Sequence, residues 1–127
     1  MKVVVLLGRI FFSSIFIFAG IGHFSPQTIA YAASYGCPMA SFLVPLTGII
    51  LLVGGFSILL GYKARIGAWL LVIFLIPATF MMHNFWSLED GGAAMIERAM
   101  FMKNLALIGA SLVIAYFGSG PLSMTKK

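Results

Sequence analysis

Four long, nearly uninterrupted apolar stretches constrain this chain more than any other feature. Each approaches the roughly 20 residues that an α-helix needs to cross the hydrocarbon core of a bilayer. They cover residues 3–22, 42–62, 66–85 and 99–117. Backbone polar groups must be paired within the segment in lipid, and the alternating pattern of barrel strands is absent, so each stretch predicts a transmembrane helix. The expected fold is an all-α, integral membrane four-helix bundle, with residues 1–127 forming a single domain.

The composition agrees with a membrane location. Hydrophobic residues make up 61% of the chain and charged residues only 9%, whereas soluble domains carry roughly 25% charged residues. A chain of 127 residues with four spans leaves only short connections, so we expect no separate soluble catalytic domain.

The placement of the basic residues indicates an orientation. The net charge is +5, and most of the lysines and arginines outside the spans fall in three places that share one side of a four-span chain. Short loops keep Lys and Arg on the cytoplasmic side, so we expect both termini inside and residues 23–41 and 87–98 outside. No basic cluster alternates with stacking aromatics, so the expected partner is the lipid bilayer and not nucleic acid. The basic residues in the three places on the predicted inner side are Lys2, Lys63, Arg65, Lys126 and Lys127.

The connection between the first two spans has no charged residue and predicts a short helix. Ser25 followed by Pro26 is the pattern of an N-cap with Pro at the first helical position, and Gly36 is suited to end the helix. At about three turns, the segment 25–34 is too short to cross a bilayer. We expect it to lie at the membrane interface or to fold over the mouth of the bundle.

The first apolar stretch also has the features of a secretory signal peptide, namely an early Lys2 and small residues at its end. Against this, the stretch has the full length of a span and is interrupted by Arg9. We therefore expect a retained helix.

A polar stripe runs along the predicted first helix. At 100° per residue, Arg9, Ser13, Phe16, Gly20 and His23 fall within about 40° of one another. The stripe is expected to face the bundle interior and to place His23 at the outer boundary. For Arg9, snorkelling to the nearer interface is an equally good interpretation.

Lys103 and Asn104 lie about one turn inside the outer end of the fourth span. Lys103 shares its face with Ala106 and Ala110 and is expected to point toward a packed helix. A buried amine needs a partner, and Glu97 is about 120° away on the helix. The sequence therefore predicts a partner from another element or a bound ligand, with structural pairing as the alternative.

His83 completes the set of candidate site residues. It shares a face with Thr79 near the outer end of the third span, so it and His23 form a protonatable pair beside Lys103. Two histidines without further ligands do not predict a metal or haem site. The single Cys37 excludes an intrachain disulfide, and no nucleophile motif or phosphate loop occurs. Whether the chain is an enzyme is left open.

Five segments form a recognisable pattern: LGRIFFSSIFIFAGIGHF, IAYAASYGCP, VGGFSILLGYKARIGAWLL, ATFMMHNFW and FMKNLALIGASLVIAYFGSGPLS. Over nearly the whole chain they resemble the DoxX family of small bacterial inner-membrane proteins. The resemblance implies a multi-pass inner-membrane location, four membrane helices and an association with membrane redox complexes and thiol homeostasis. It marks Arg9, His83, Lys103 and Asn104 as family-pattern positions. Many relatives differ in having Lys where His23 stands and a Glu where this chain has Leu51.

Three functions are compatible with these residues. The first is a membrane subunit or accessory of a redox system, with an outer-side pocket that holds a quinone head group. The second is a small-molecule or lipid binding or transport protein that uses the same pocket, and the third is an assembly factor without a ligand. We favour the first, with oxidoreductase subunits and a second copy of the chain as candidate partners. The pocket residues are Arg9, His23, His83, Lys103 and Asn104.

Overall fold

The computed structural model describes residues 1–83, 86 and 91–124. Within these ranges the chain forms five helices, four of which are long and apolar enough to cross a membrane. The prediction of an all-α membrane bundle is thereby confirmed. The helices are α1 (Lys2–Gly22), α2 (Pro26–Ser34), α3 (Ala40–Leu60), α4 (Ala64–Met82) and α5 (Gly91–Phe117).

The last helix begins earlier than its apolar stretch predicted. It starts at Gly91, whereas the predicted span started at residue 99. The added segment is rich in Ala, Met, Glu and Arg, which are strong helix formers, so helix propensity extends the helix beyond the apolar run. Glu97 and Arg98 therefore lie on α5 and not in a loop. The predicted third span reached residue 85, but α4 ends at Met82, and Asn84 and Phe85 lie outside the described residues.

The predicted short helix in the first connection is confirmed as α2. The Ser25 hydroxyl accepts a hydrogen bond from the backbone N–H of Thr28 at 3.2 Å, and Pro26 occupies the first turn. Gly36 follows with φ of +89°, a left-handed conformation that favours glycine. The N-cap and the turn together fix where this helix begins and ends.

The long helices pack in the order α1 on α3, α3 on α4 and α4 on α5, and α2 packs on α3. Glycines allow the closest approaches. A Cβ added to Gly20 of α1 would lie 2.9 Å from the backbone oxygen of Gly48 in α3, and one added to Gly54 would lie 2.9 Å from the Leu71 side chain in α4. Small residues are what lets helices approach when no hydrophobic effect drives them together in lipid.

The middle of the bundle is filled by apolar side chains from all four long helices. Leu51, Ile58 and Leu71 are 1%, 0% and 0% exposed. Phe16 of α1 belongs to the same buried cluster, and Leu107 of α5 packs against it. This core separates two ends of the molecule. The basic end contains the start of α1, the α3–α4 turn and residues 118–124, and the α2 end contains α2 and the other helix termini.

Candidate functional site

Arg9 lies toward the basic end and is held by the segment that follows α5. Its side chain is buried, at 4% exposure. Nη1 donates to the backbone oxygens of Ser119 at 2.9 Å and Pro121 at 2.8 Å. Nη2 donates to the backbone oxygen of Leu122 at 2.6 Å, and the Ser123 hydroxyl also accepts from Nη1. Neutral oxygens of the chain therefore surround the guanidinium.

The structure does not bring Arg9 together with the other four candidate residues. His23 is 14 positions further along α1, a rise of about 21 Å. The prediction that one polar stripe of α1 faces the bundle interior was correct. The buried residues of α1 are Arg9, Ser13, Phe16 and Gly20. Helical periodicity gives the direction of a side chain but does not place two residues at the same depth.

At the α2 end, a cavity of about 510 Å³ is lined by residues of all five helices. Four of the five candidate residues line it, namely His23, His83, Lys103 and Asn104. Its volume lies within the roughly 300–1,000 Å³ range of small-molecule sites. Most of the wall is apolar, including Phe16, Leu51, Phe74, Leu75, Met81 and Leu107.

His23 is fixed at the cavity by α3. Its Nδ1 lies 2.9 Å from the hydroxyl oxygen of Thr47 and 3.3 Å from the backbone oxygen of Val44. The Thr47 hydroxyl itself donates to Val44 at 2.7 Å, so its lone pair is left to accept the Nδ1–H of His23. Burial lowers the pKa of His23, and the hydrogen bond to Val44 opposes this shift. The neutral ring then carries its unprotonated nitrogen at Nε2.

His83 is paired with Glu97 across α4 and α5. Its Nδ1 lies 2.7 Å from a carboxylate oxygen of Glu97, and the two side chains are 21% and 16% exposed. Sequence reasoning placed Glu97 in the outer connection 87–98, before the fourth span, and missed this pair. The helix-forming residues before position 99 were the signal that α5 starts early enough to bring Glu97 onto the helix.

Lys103 and Asn104 both line the cavity. Asn104 is 8% exposed, whereas Lys103 is exposed at the rim. Within residues 1–83, 86 and 91–124, neither side chain makes a hydrogen bond or ion pair. The expectation that Lys103 points into a packed helix was wrong, because the buried face of α5 runs through Asn104, Ser111 and Ala115.

Helix α2 forms part of the cavity wall through Thr28, Tyr31 and Ala32, which sequence reasoning did not single out. The hydroxyl of Tyr31 donates to that of Tyr35 at 3.2 Å. This hydrogen bond, burial and the negative charges of Tyr35 and Glu97 raise the pKa of Tyr31 to about 12. The phenol at the cavity is therefore neutral at physiological pH.

The arrangement is suited to holding a ligand by hydrogen bonds within apolar walls. It offers two imidazoles anchored through Nδ1, an ammonium and a carboxamide. Among the described side chains, no three of His, Cys, Asp and Glu come close enough together to hold a metal ion.

Comparisons with known proteins agree with this membrane architecture. The DoxX family model matches residues 4–84. The chain is 32% identical over 124 residues to inner membrane protein YqjF of Escherichia coli (strain K12), covering 96% of this chain and 89% of that protein. It is 28% identical over 127 residues to inner membrane protein YphA of the same organism, covering 98% and 90%. No solved structure matches. The chain is a multi-pass inner-membrane protein and belongs to the DoxX family.

Proposed function

We propose that this chain is a membrane subunit or accessory of a quinone-linked redox system and that its cavity binds the quinone ring. The observation that carries the proposal is the apolar cavity of about 510 Å³ in which Lys103 and Asn104 have no partner among the described residues. A buried polar group without a partner costs free energy. A ligand oxygen that accepts a hydrogen bond from Asn104 would remove that cost.

The chemistry of the wall supports a ring with polar substituents. Aromatic and aliphatic side chains such as Phe16 and Phe74 suit the faces of a planar ring. The Lys103 ammonium and the Asn104 amide are donors for carbonyl oxygens. A quinone combines these properties in one molecule, with an apolar ring and two carbonyl acceptors.

The cavity also reaches the lipid-facing surface of the bundle. Ile15 and Ile73 line it and are nevertheless 38% and 63% exposed. A long apolar tail attached to the ring would leave the cavity past such residues and lie in the bilayer. With the basic end in the cytoplasm, as the positive-inside rule predicts, the cavity opens in the outer half of the membrane.

The test is to identify what leaves the membrane with the protein. The full chain is purified in mild detergent, the bound lipids are extracted, and quinones are quantified by liquid chromatography and mass spectrometry. We expect quinone in near-stoichiometric amount, and we expect Lys103→Met and Asn104→Leu to lower it at least about fivefold, since each loses a hydrogen bond. Lys2→Met makes the same change as Lys103→Met at the exposed start of α1 and is expected to retain the quinone.

Other outcomes would favour the other functions. Bound phospholipid without quinone would support a lipid-binding or transport protein. A purified chain without any ligand, together with cavity variants that fail to accumulate in the membrane, would support an assembly factor. The proposal includes an oxidoreductase partner and a homodimer as candidate assemblies, which native mass spectrometry of gently solubilised membranes would reveal.

A further inference from the structure

The two histidines at the cavity share a feature that determines which ligand atoms they can bind. In each ring, Nδ1 is engaged by an oxygen of the protein, from Thr47 and Val44 for His23 and from Glu97 for His83. A neutral imidazole has one donor and one acceptor nitrogen. When Nδ1 donates within the protein, Nε2 is the acceptor that remains for a ligand.

We propose that the cavity selects the reduced, hydroxyl-bearing form of its ring ligand, a quinol or another long-chain phenol, with Nε2 of His23 or His83 accepting the hydroxyl hydrogen. The inference rests on the proposed function for the existence of a ring ligand. It adds the oxidation state of that ligand and the residues that recognise it.

The hydrogen bonds around His23 leave one tautomer. The Thr47 hydroxyl donates its hydrogen to the backbone oxygen of Val44 at 2.7 Å. The Thr47 hydroxyl oxygen and the Val44 backbone oxygen therefore both present lone pairs to Nδ1 of His23. An unprotonated Nδ1 would place a third lone pair against those two. Burial keeps the ring neutral and lowers its pKa, so Nε2 carries no hydrogen and accepts.

At His83, the carboxylate of Glu97 accepts the Nδ1 hydrogen, as the Thr47 hydroxyl oxygen does at His23. An ionised carboxylate only accepts, and its distance of 2.7 Å from Nδ1 is that of a charge-assisted hydrogen bond. When the ring of His83 is neutral, Nε2 is therefore its acceptor nitrogen.

The surrounding charges disfavour the other ligand classes. Among the described residues, the titratable groups that line the cavity or adjoin its histidines are His23, Tyr31, Cys37, His83, Glu97 and Lys103. Among these groups, an anionic head group in the cavity would meet the Lys103 ammonium and two acceptor nitrogens, with the Glu97 carboxylate behind His83. A dicarbonyl ring satisfies Lys103 and Asn104 but sets carbonyl lone pairs against any histidine Nε2 that it meets.

The closing experiment compares the two oxidation states directly. The full chain in nanodiscs of zwitterionic lipid is titrated anaerobically at pH 7.5 with decylubiquinol and with decylubiquinone, and heat is measured. We expect the quinol to bind at least about tenfold more tightly, the effect of one hydrogen bond to a well-placed acceptor. Equal affinities, or tighter binding of the quinone, would overturn the inference and leave the proposed function standing. If neither compound binds, the proposed function fails and the inference falls with it.

Variants of the two histidines show which ring produces the preference for quinol. His23→Phe removes one acceptor while keeping an aromatic ring, and we expect the preference for quinol to shrink at least about threefold with little change in quinone affinity. Gln27→Leu is a polar-to-apolar change on the exposed side of α2, outside the cavity, and is expected to keep the full preference. An unchanged preference in His23→Phe would assign the selection to His83, and an unchanged preference in both His23→Phe and His83→Phe would overturn the inference.

A spectroscopic measurement needs no substitution. The chain has only two histidines, so ¹⁵N-histidine labelling gives a spectrum with two rings. We expect each neutral ring to carry its hydrogen on Nδ1, and added quinol to shift an Nε2 resonance. Two rings protonated at Nε2 would contradict the inference even if the variants do not fold.

Discussion

Arg9 shows how backbone oxygens accommodate a guanidinium inside a membrane helix. Three backbone oxygens and one hydroxyl from residues 119–123 accept its hydrogen bonds. These oxygens need donors in turn, because carbonyls that lie past a helix end have no partner in the helix. The two Nη groups of Arg9 and these oxygens of the segment after α5 therefore satisfy each other.

Removing the guanidinium should release that segment. In Arg9→Leu, the oxygens of Ser119, Pro121 and Leu122 lose their donors, and each unpaired buried oxygen costs roughly 1–3 kcal/mol. We expect a lower melting temperature in detergent. We also expect rapid proteolytic cleavage between residues 118 and 124, which mass spectrometry of the fragments would detect. Arg65→Leu, an exposed arginine at the same end, is the control. A segment that stays protected in Arg9→Leu would show that other contacts hold it.

His23 predicts a pH dependence of stability. Burial lowers its pKa in the folded protein from the ordinary value of about 6.5, so the unfolded chain binds the proton more readily. The stabilisation is complete above pH of about 6.5 and is lost as the pH falls through the lower pKa of the folded state. Thermal melts between pH 5 and 8 should show stability decreasing toward acid. In His23→Phe this decrease should be smaller, and an unchanged slope would contradict the assignment of the effect to His23.

At the scale of the helices, glycines determine how closely α1, α3 and α4 approach. A Cβ added to Gly20 would lie 2.9 Å from the backbone oxygen of Gly48, and a Cβ added to Gly48 would lie 2.9 Å from the backbone oxygen of Gly20. Both distances are too short for a real Cβ contact. A backbone cannot move aside as a flexible side chain can. The position of His23, whose Cβ also lies 2.9 Å from a Cβ built on Gly48, depends on this approach.

A methyl group at this contact should separate the helices. We expect Gly48→Ala to destabilise the protein by about 1–3 kcal/mol, the usual cost of overpacking, and to weaken ligand binding through His23. Gly109→Ala in α5 is the matched control, because a Cβ there meets nothing within 4 Å, and it should be neutral or slightly stabilising. Melting temperatures of the two variants and the unchanged protein, measured side by side, would test this difference. Equal stabilities would show that α1 can move away from α3 without cost.

For the whole molecule, the two ends have different roles. The basic end is closed by the segment after α5, which Arg9 holds and which also bonds α3 through the Met124 N–H and the Leu60 oxygen at 3.0 Å. The α2 end contains the cavity. The apolar core lies between the two ends.

The orientation of these ends in the membrane is testable with cysteine labelling. In a Cys37→Ala background, Ser34→Cys lies on the exposed surface of α2 and Lys63→Cys in the α3–α4 turn. The positive-inside rule leads us to expect that a membrane-impermeant maleimide labels position 34 in intact spheroplasts and position 63 only after lysis. The reverse pattern would place the cavity on the cytoplasmic side, and labelling of both positions from one side would contradict the four-span topology.

The sequence alone determined the features that depend on neighbours along the chain. Hydropathy over about 20 residues predicts a span because lipid leaves the backbone no other partner, and Ser25 with Pro26 predicts the start of α2 because capping is local. Helical periodicity also predicted that Ser13 and Gly20 would be buried with Arg9.

Only the tertiary structure decided which polar residues meet. Arg9 bonds residues more than 100 positions away, and His83 bonds Glu97 across two helices. Such contacts depend on the depth of each residue along the bundle and on which helices pack together, and neither follows from a local pattern. The carbonyl oxygens around Arg9 belong to the backbone, which gives no side-chain signal in a sequence. For this reason the four cavity residues could be proposed in advance, whereas the partner of His23, Thr47, and that of His83, Glu97, were not.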